Sequence, residues 1–380
     1  MQHRTLNLFA IALLVVCLQT MAIQNVQAQT ERETSRPHPS FPFPFKNGDR
    51  VQWIGSSSTH FGIWPKTMEF LLHTQHPELK LSFETSSTGG GTFETGLQNL
   101  DKWTGEYKPT LVFLNYGAND AAAGEAGLPQ FKNNMEKLVT QLQGKGARVL
   151  LMTPQAGDAH QSSVAETANR KLYAEQMLTE GALKGWPVID VFHPLENLQT
   201  RAQADDNAYT INSDHIHLTP PAYVAWGYFL YDALNPPDSS SEAELSAPRQ
   251  VIRTNRCRIS NLRATADGLS FTREDAVLPI LPPVPQQKPY PPRKYVPLEK
   301  ISRYMLKVTG LPNGTYEIRC EGKPLGTTDA KALATGVNLN SLLLDSGKTA
   351  PWDQLAQEIW KGHSLNKIGK TAWQFEVRKQ

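Results

Sequence analysis

"TLVFLNYGAND", residues 110–120, joins an unbroken apolar run to a polar turn that contains a glycine. A run that is apolar at every position, rather than at alternate ones, belongs to a strand covered on both faces, as in a parallel sheet. The flanking sequence repeats the pattern. "RVQWIG" (50–55), "LKLSFETS" (79–86), "ARVLLMTP" (147–154) and "PVIDV" (187–191) read as strands. Between and after them, "PKTMEFLLHTQHP" (65–77), "TFETGLQNLDKW" (92–103), "LPQFKNNMEKLVTQLQGKG" (128–146), "AETANRKLYAEQMLTEGALKG" (165–185) and "PPAYVAWGYFLYDAL" (220–234) carry apolar residues at helical spacing. Five strands alternating with helices predict a doubly wound α/β three-layer sandwich on a five-stranded parallel sheet. Chemistry in such sheets sits at the carboxyl ends of the strands.

The polar residues fall at those ends. "GSSST" follows the first strand, "TSSTGGGT" the second and "YGAND" the third, and "NSDHIHLTPPAY" (212–223) precedes the last helix. A serine hydroxyl becomes a nucleophile only when an oriented base takes its proton, and the resulting oxyanion needs fixed donors. Asp214 and His217, three residues apart in one loop, suit the orienter and the base. Gly90 offers an unobstructed N–H and Asn119 an amide. The bland alternatives are a capping or turn serine, a flexible glycine turn, a capping Asn119–Asp120 and a surface Asp–His pair.

These blocks, in this order, resemble the SGNH (GDSL-type) hydrolase superfamily over roughly residues 45–235. The resemblance implies a flavodoxin-like SGNH fold, with Ser57 as nucleophile, the Ser57 and Gly90 N–H groups and the Asn119 amide as oxyanion hole, His217 as base and Asp214 as its orienter. Ser56 stands where the family carries an acidic residue, so Ser56 and Ser58 are rival nucleophiles, and three consecutive glycines leave the choice of Gly90 open by one position. The Gly-x-Ser-x-Gly elbow of the α/β-hydrolases does not occur, and no Lys-Ser/Thr follows the glycines as a phosphate loop requires. His60 and His215 read as pocket walls or solvent-facing residues. Trp53, Trp64 and Tyr116 read as core or pocket lining, core being favoured.

The implied activity is a serine esterase that removes a small acyl group, acetyl foremost, from a carbohydrate or polyol. The alternatives are an O-acyltransferase on glycans and an inactive glycan binder. No cofactor is implied, and no Cys/His cluster has zinc-ligand spacing. A net charge of +2 over 380 residues argues against a nucleic-acid partner. Oligomeric state is open.

Residues 1–28 read as a signal peptide: Arg4 precedes "LFAIALLVVC", and Ala28 supplies a small residue for cleavage. Val16 before Cys17 argues against a lipoprotein. The expectation is a periplasmic or extracellular protein with no stable membrane insertion after cleavage. Residues 29–44 read as a flexible leader, 236–249 as a linker, and 250–380 as a small β-rich accessory module with a helical tail over 350–370. Asp267-Gly268 marks a hairpin, "LPNG" (311–314) a turn between two strands, and 281–297 an extended Pro-rich stretch. Cys257 and Cys320 are a candidate disulfide in an exported chain.

Overall fold

A computed structural model describes residues 42–247, 249–283, 293–363 and 371–380. The signal peptide, most of the leader and residues 284–292 of the Pro-rich stretch lie outside the described residues.

The first half is a five-stranded parallel sheet. Its strands are β1 (Arg50–Gly55), β2 (Ser82–Ser87), β3 (Leu111–Asn115), β4 (Arg148–Met152) and β5 (Val188–Ile189), in the order β2-β1-β3-β4-β5. The chain winds one way from β1 to β2 and the other way from β3 onward. The crevice where such a sheet switches direction, between β1 and β3, is the expected ligand position.

Pleating explains the core. Val51 and Trp53, with Leu111 and Phe113, face a cluster under helices α2 (Ile63–Gln75) and α7 (Pro220–Ala233). Ile54, Val112 and Leu114 face a second cluster under α3 (Phe93–Thr104), α4 (Leu128–Gly144) and α5 (Val164–Lys184). Trp53 meets Trp64 edge-on at 5.4 Å, and Trp64 stacks on Trp226 at 5.5 Å. Trp53, Trp64 and Tyr116 are core residues, at most 1% exposed.

Two further helices belong to this half. α1 (Ser57–His60) is a single turn after β1. α6 (Phe192–Asp205) lies in a stretch for which the sequence pattern named no element. Pro194 hides this helix from a pattern reading, but it sits in the first turn, where a missing N–H costs no intrahelical bond.

The second half corrects two expectations, the linker and the helical end, and adds the pairing of the strands around "LPNG". The supposed linker contains strand β6 (Ser241–Ser246), whose Ser241, Ala243 and Leu245 are buried. The strands around "LPNG", β10 (Tyr304–Thr309) and β11 (Thr315–Cys320), lie in different sheets because β10 pairs in parallel with β6. The tail does form a helix, α11 (Asp353–Trp360), but the chain ends in strand β14 (Ala372–Lys379).

The full orders are β13-β10-β6-β7 and β12-β11-β14-β9-β8. Here β7 is Gln250–Asn255, β8 Cys257–Thr265, β9 Gly268–Asp275, β12 Lys323–Asp329 and β13 Val337–Asn338. The hairpin around Asp267-Gly268 joins β8 to β9, with Thr265 opposite Gly268. No disulfide joins Cys257 to Cys320. They open β8 and close β11, three strand spacings apart and four residues out of register, beyond disulfide reach. The Cys257 thiol donates to the Glu242 carbonyl at 3.1 Å.

Leu245, Tyr304 and Phe375 of the second half share one apolar cluster with Trp53 and Trp226 of the first. Phe41–Gln380 is accordingly one compact unit. Among the described residues no helix is long and apolar enough to cross a membrane.

Glu69 on α2 accepts a hydrogen bond from the Trp53 indole at 2.9 Å. Burial pushes its carboxyl up to about 7 even so. Between about pH 4.5 and 7 the folded chain therefore keeps a proton that the unfolded chain releases, and stability falls as pH rises through that window, by at most ~1.4 kcal/mol per unit. Glu69→Gln keeps the acceptor and removes the titration. Its urea midpoint relative to wild type should improve from pH 5 to pH 8, and a constant difference would refute the assignment.

Candidate active site

Ser57 opens α1, directly beyond β1, so its N–H has no intrahelical partner. Its hydroxyl lies 2.8 Å from His217 Nε2. On the far side of the ring, Nδ1 lies 2.8 Å from Asp214 Oδ2. An ionised carboxylate can only accept, so Nδ1 carries the proton and Nε2 is left to accept from Ser57. The other carboxylate oxygen, Oδ1, accepts from the Ile216 and His217 amides at 2.8 and 2.7 Å. Partial desolvation opposes ionisation. The His217 amide, the His217 ring and the Ile216 amide outweigh it and hold Asp214 at about 2.

The rival serines are placed differently. Ser58 is 1% exposed, and its Oγ is engaged by Gln155 Nε2 at 3.0 Å and the Tyr223 hydroxyl at 3.2 Å. Ser56 is 3% exposed, and its carbonyl takes the Thr59 and His60 amides. Of the three hydroxyls, the one within hydrogen-bond reach of His217 Nε2 is that of Ser57.

The glycine loop follows β2. Its turn is closed by the Gly91 N–H on the Thr88 carbonyl at 3.0 Å, a bond that does not engage the Gly90 N–H. Gly90 has φ +70°, a conformation that favours glycine. Asn119, beyond β3, donates through Nδ2 to the Gly91 carbonyl at 2.9 Å and keeps a second amide proton. Asp120 fastens the same two loops, accepting from the Gly117 and Phe93 amides at 3.0 and 3.2 Å. Desolvation raises its carboxyl to about 6 against those two bonds. His60 is exposed beside Ser87, at 3.3 Å, and His215 is exposed on the loop above.

Residues 54–225 match the GDSL-like lipase/acylhydrolase family. Over these residues the chain is similar to the SGNH (GDSL-type) acylhydrolases. The match covers a little under half of the chain. A gut microbial diltiazem-metabolizing enzyme, BT4096, is 23% identical with a TM-score of 0.72, over 85% of this chain and 78% of its own. Its likeness in fold therefore runs beyond the SGNH domain into the β-rich half. Axe2, an acetyl-xylooligosaccharide esterase from Geobacillus stearothermophilus, is 14% identical with a TM-score of 0.43, over 51% of this chain and 97% of its own. The acetyl xylan esterase AlAXEase is 18% identical with a TM-score of 0.43, over 49% of this chain and 99% of its own. No curated protein matches the sequence.

The SGNH-like domain holds the Ser57 turn without the acidic residue usual in that family before the serine. The brace comes from the next residue instead. Gln155, buried beyond β4, spends both Nε2 protons at 3.0 Å, on Ser58 Oγ and on the Ile216 carbonyl. One carboxamide thus ties the serine turn to the Asp214–His217 loop. Arg170 supports that loop from beneath, with Nη2 2.9 Å from the His215 carbonyl and 2.7 Å from Ser162 Oγ.

Sequence reading missed Gln155, Tyr223 and Arg170 because their partners are distant in sequence and no local motif marks them. Gln155→Leu should lower kcat about tenfold with KM nearly unchanged, because it leaves the Ile216 carbonyl unpartnered and cuts the tie between the two loops. A rise in KM with kcat unaltered would contradict this. Among the described residues no group of three or more His, Cys, Asp or Glu side chains could hold a metal.

Proposed function

We propose that the SGNH domain is a serine esterase working through Ser57, His217 and Asp214, and that it removes a small acyl group, acetyl foremost, from a carbohydrate or polyol. The observation that carries the mechanism is the unbroken line from Ser57 Oγ to His217 Nε2 at 2.8 Å and from Nδ1 to Asp214 at 2.8 Å.

His217 Nε2 takes the Ser57 proton as Oγ attacks the ester carbonyl. Negative charge moves to the carbonyl oxygen, beside the Ser57 and Gly90 N–H groups and the second Asn119 amide proton. Collapse breaks the ester bond, and the imidazolium gives its proton to the departing alcohol. Water then loses a proton to the same nitrogen and attacks the acyl-serine, releasing the acid and restoring Ser57. Asp214, at about 2, stays ionised throughout and steadies the imidazolium.

The polar alcohol is supported by the exposure of His60, His215, Gly89 and Gly90 on the loops that carry the site, with Ser57 itself half-exposed. A panel of acetylated sugars, short nitrophenyl esters and long-chain lipid esters tests the reading. Turnover should be highest on the acetylated sugars, and a preference for long acyl chains would defeat it. We propose also that the chain acts outside the cytoplasm after residues 1–28 are removed. A mature N-terminus upstream of Ala28 in cells would count against that.

A further inference from the structure

Phe61 is the one large aromatic residue left exposed among the described residues, at 53%. It is not a loose surface ring. Its amide donates to the Ser57 carbonyl at 3.0 Å, so it stands one helical turn beyond the serine. Helical side chains lean toward the N-terminus, which carries this ring toward Ser57. The ring meets the His217 imidazole edge-on, with centroids 5.1 Å apart and planes at 85°. It also leans on Tyr223 at 6.0 Å. Gly62, at φ +72°, turns the chain away immediately afterward. The ring is therefore held in place on its inner side, and the rest of it is open to solvent.

The chemistry fixes what passes over that open surface. His217 must hand its proton to the leaving alcohol, so the alcohol lies on the imidazole side of the acyl carbon. The oxyanion donors at Gly90 and Asn119 hold the other side. A ring packed on the imidazole flanks the alcohol, not the acyl group.

We propose that Phe61 is a leaving-group platform, which stacks against the apolar C–H face of a pyranose ring and so selects esters of ring alcohols over esters of short open-chain alcohols. This rests on the carbohydrate-esterase reading above and adds the residue that recognises the sugar. An aromatic face suits such a partner because it buries C–H surface while the sugar hydroxyls point to water and to the polar rim.

The test compares a peracetylated methyl pyranoside with ethyl acetate on the full chain. In Phe61→Ala the ratio of kcat/KM for the pyranoside to that for ethyl acetate should fall about tenfold, mainly through KM, as expected for one lost apolar contact. Phe61→Trp should restore the ratio. Labelling of Ser57 by a fluorophosphonate at the wild-type rate shows that the serine and imidazole of the variant are intact. An unchanged ratio in Phe61→Ala overturns the proposal, as does an equal loss on both esters with slowed labelling, which would make Phe61 a prop for His217. Wild type that cleaves ethyl acetate and leaves the pyranoside untouched would instead overturn the carbohydrate reading, and this inference with it.

Discussion

Ser57→Ala should lower kcat/KM for any ester the protein cleaves by about 10⁴-fold or more, equivalent to at least ~5 kcal/mol of transition-state stabilisation. The size follows from what is removed. Without Oγ there is no acyl-enzyme, and the remaining donors can only assist direct attack by water. The loss should fall on kcat, with KM little changed, because the oxyanion groups at Gly90 and Asn119 stay in place. Fluorophosphonate labelling should vanish in Ser57→Ala and persist in Ser56→Ala, whose side chain is 3% exposed and lies off the Ser57–His217 axis. Labelling that survives in Ser57→Ala would move the nucleophile elsewhere and defeat the assignment. The same assay run toward acid gives a second reading. Asp214 sits at about 2, so a fall in rate between neutrality and pH 4 does not come from protonation of its carboxylate.

The parallel sheet was legible because its strands are apolar at every position and their lengths suit a buried layer. That the loops bearing Ser57, the glycines, Asn119 and the Asp214–His217 pair would gather on one rim was legible because a sheet of this kind collects its strand ends there; the choice of Ser57 among three serines and of Gly90 among three glycines rested on the family resemblance. β6 was not. Its inward residues are Ser241, Ala243 and Leu245, of which only Leu245 is large and apolar, so "SSSEAELS" reads as solvated chain. Burial of Ser241 becomes acceptable because Arg273 and Asp275, 32 and 34 residues on, take up its hydrogen bonds. Gln155 escaped for the same reason: its value lies in two partners 97 and 61 residues away. β14 did carry a local signal in the alternation of Trp373, Phe375 and Val377, which all point inward. The glycine-rich and lysine-rich run before it drew the reading toward a tail.

The second large effect is expected far from Ser57. Arg273 and Asp275, both on β9 and both fully buried as side chains, form an ion pair with Nε 2.9 Å from Oδ1. The pair rivets the two C-terminal sheets together. Arg273 reaches across to the Met305 carbonyl at 2.9 Å and to the Ser241 carbonyl and hydroxyl at 2.8 Å, while its guanidinium lies 4.2 Å over the Tyr304 ring. Asp275 accepts from the Ser241 hydroxyl and, at 2.7 Å, from the Tyr304 hydroxyl. Asp275→Ala strands a buried cation and orphans two hydroxyl donors, at a cost of about 3–5 kcal/mol. Replacing the pair together, Arg273→Met with Asp275→Leu, removes both charges from the low-dielectric interior and should recover most of that loss. A single variant as stable as the double one would show that water or a neighbouring group already satisfies the arginine. Because one apolar cluster runs through both halves, Asp275→Ala should lower the temperature of ester-activity loss and that of Trp fluorescence change together. A drop in one without the other would mean that the SGNH domain holds its own fold while the β-rich half comes apart.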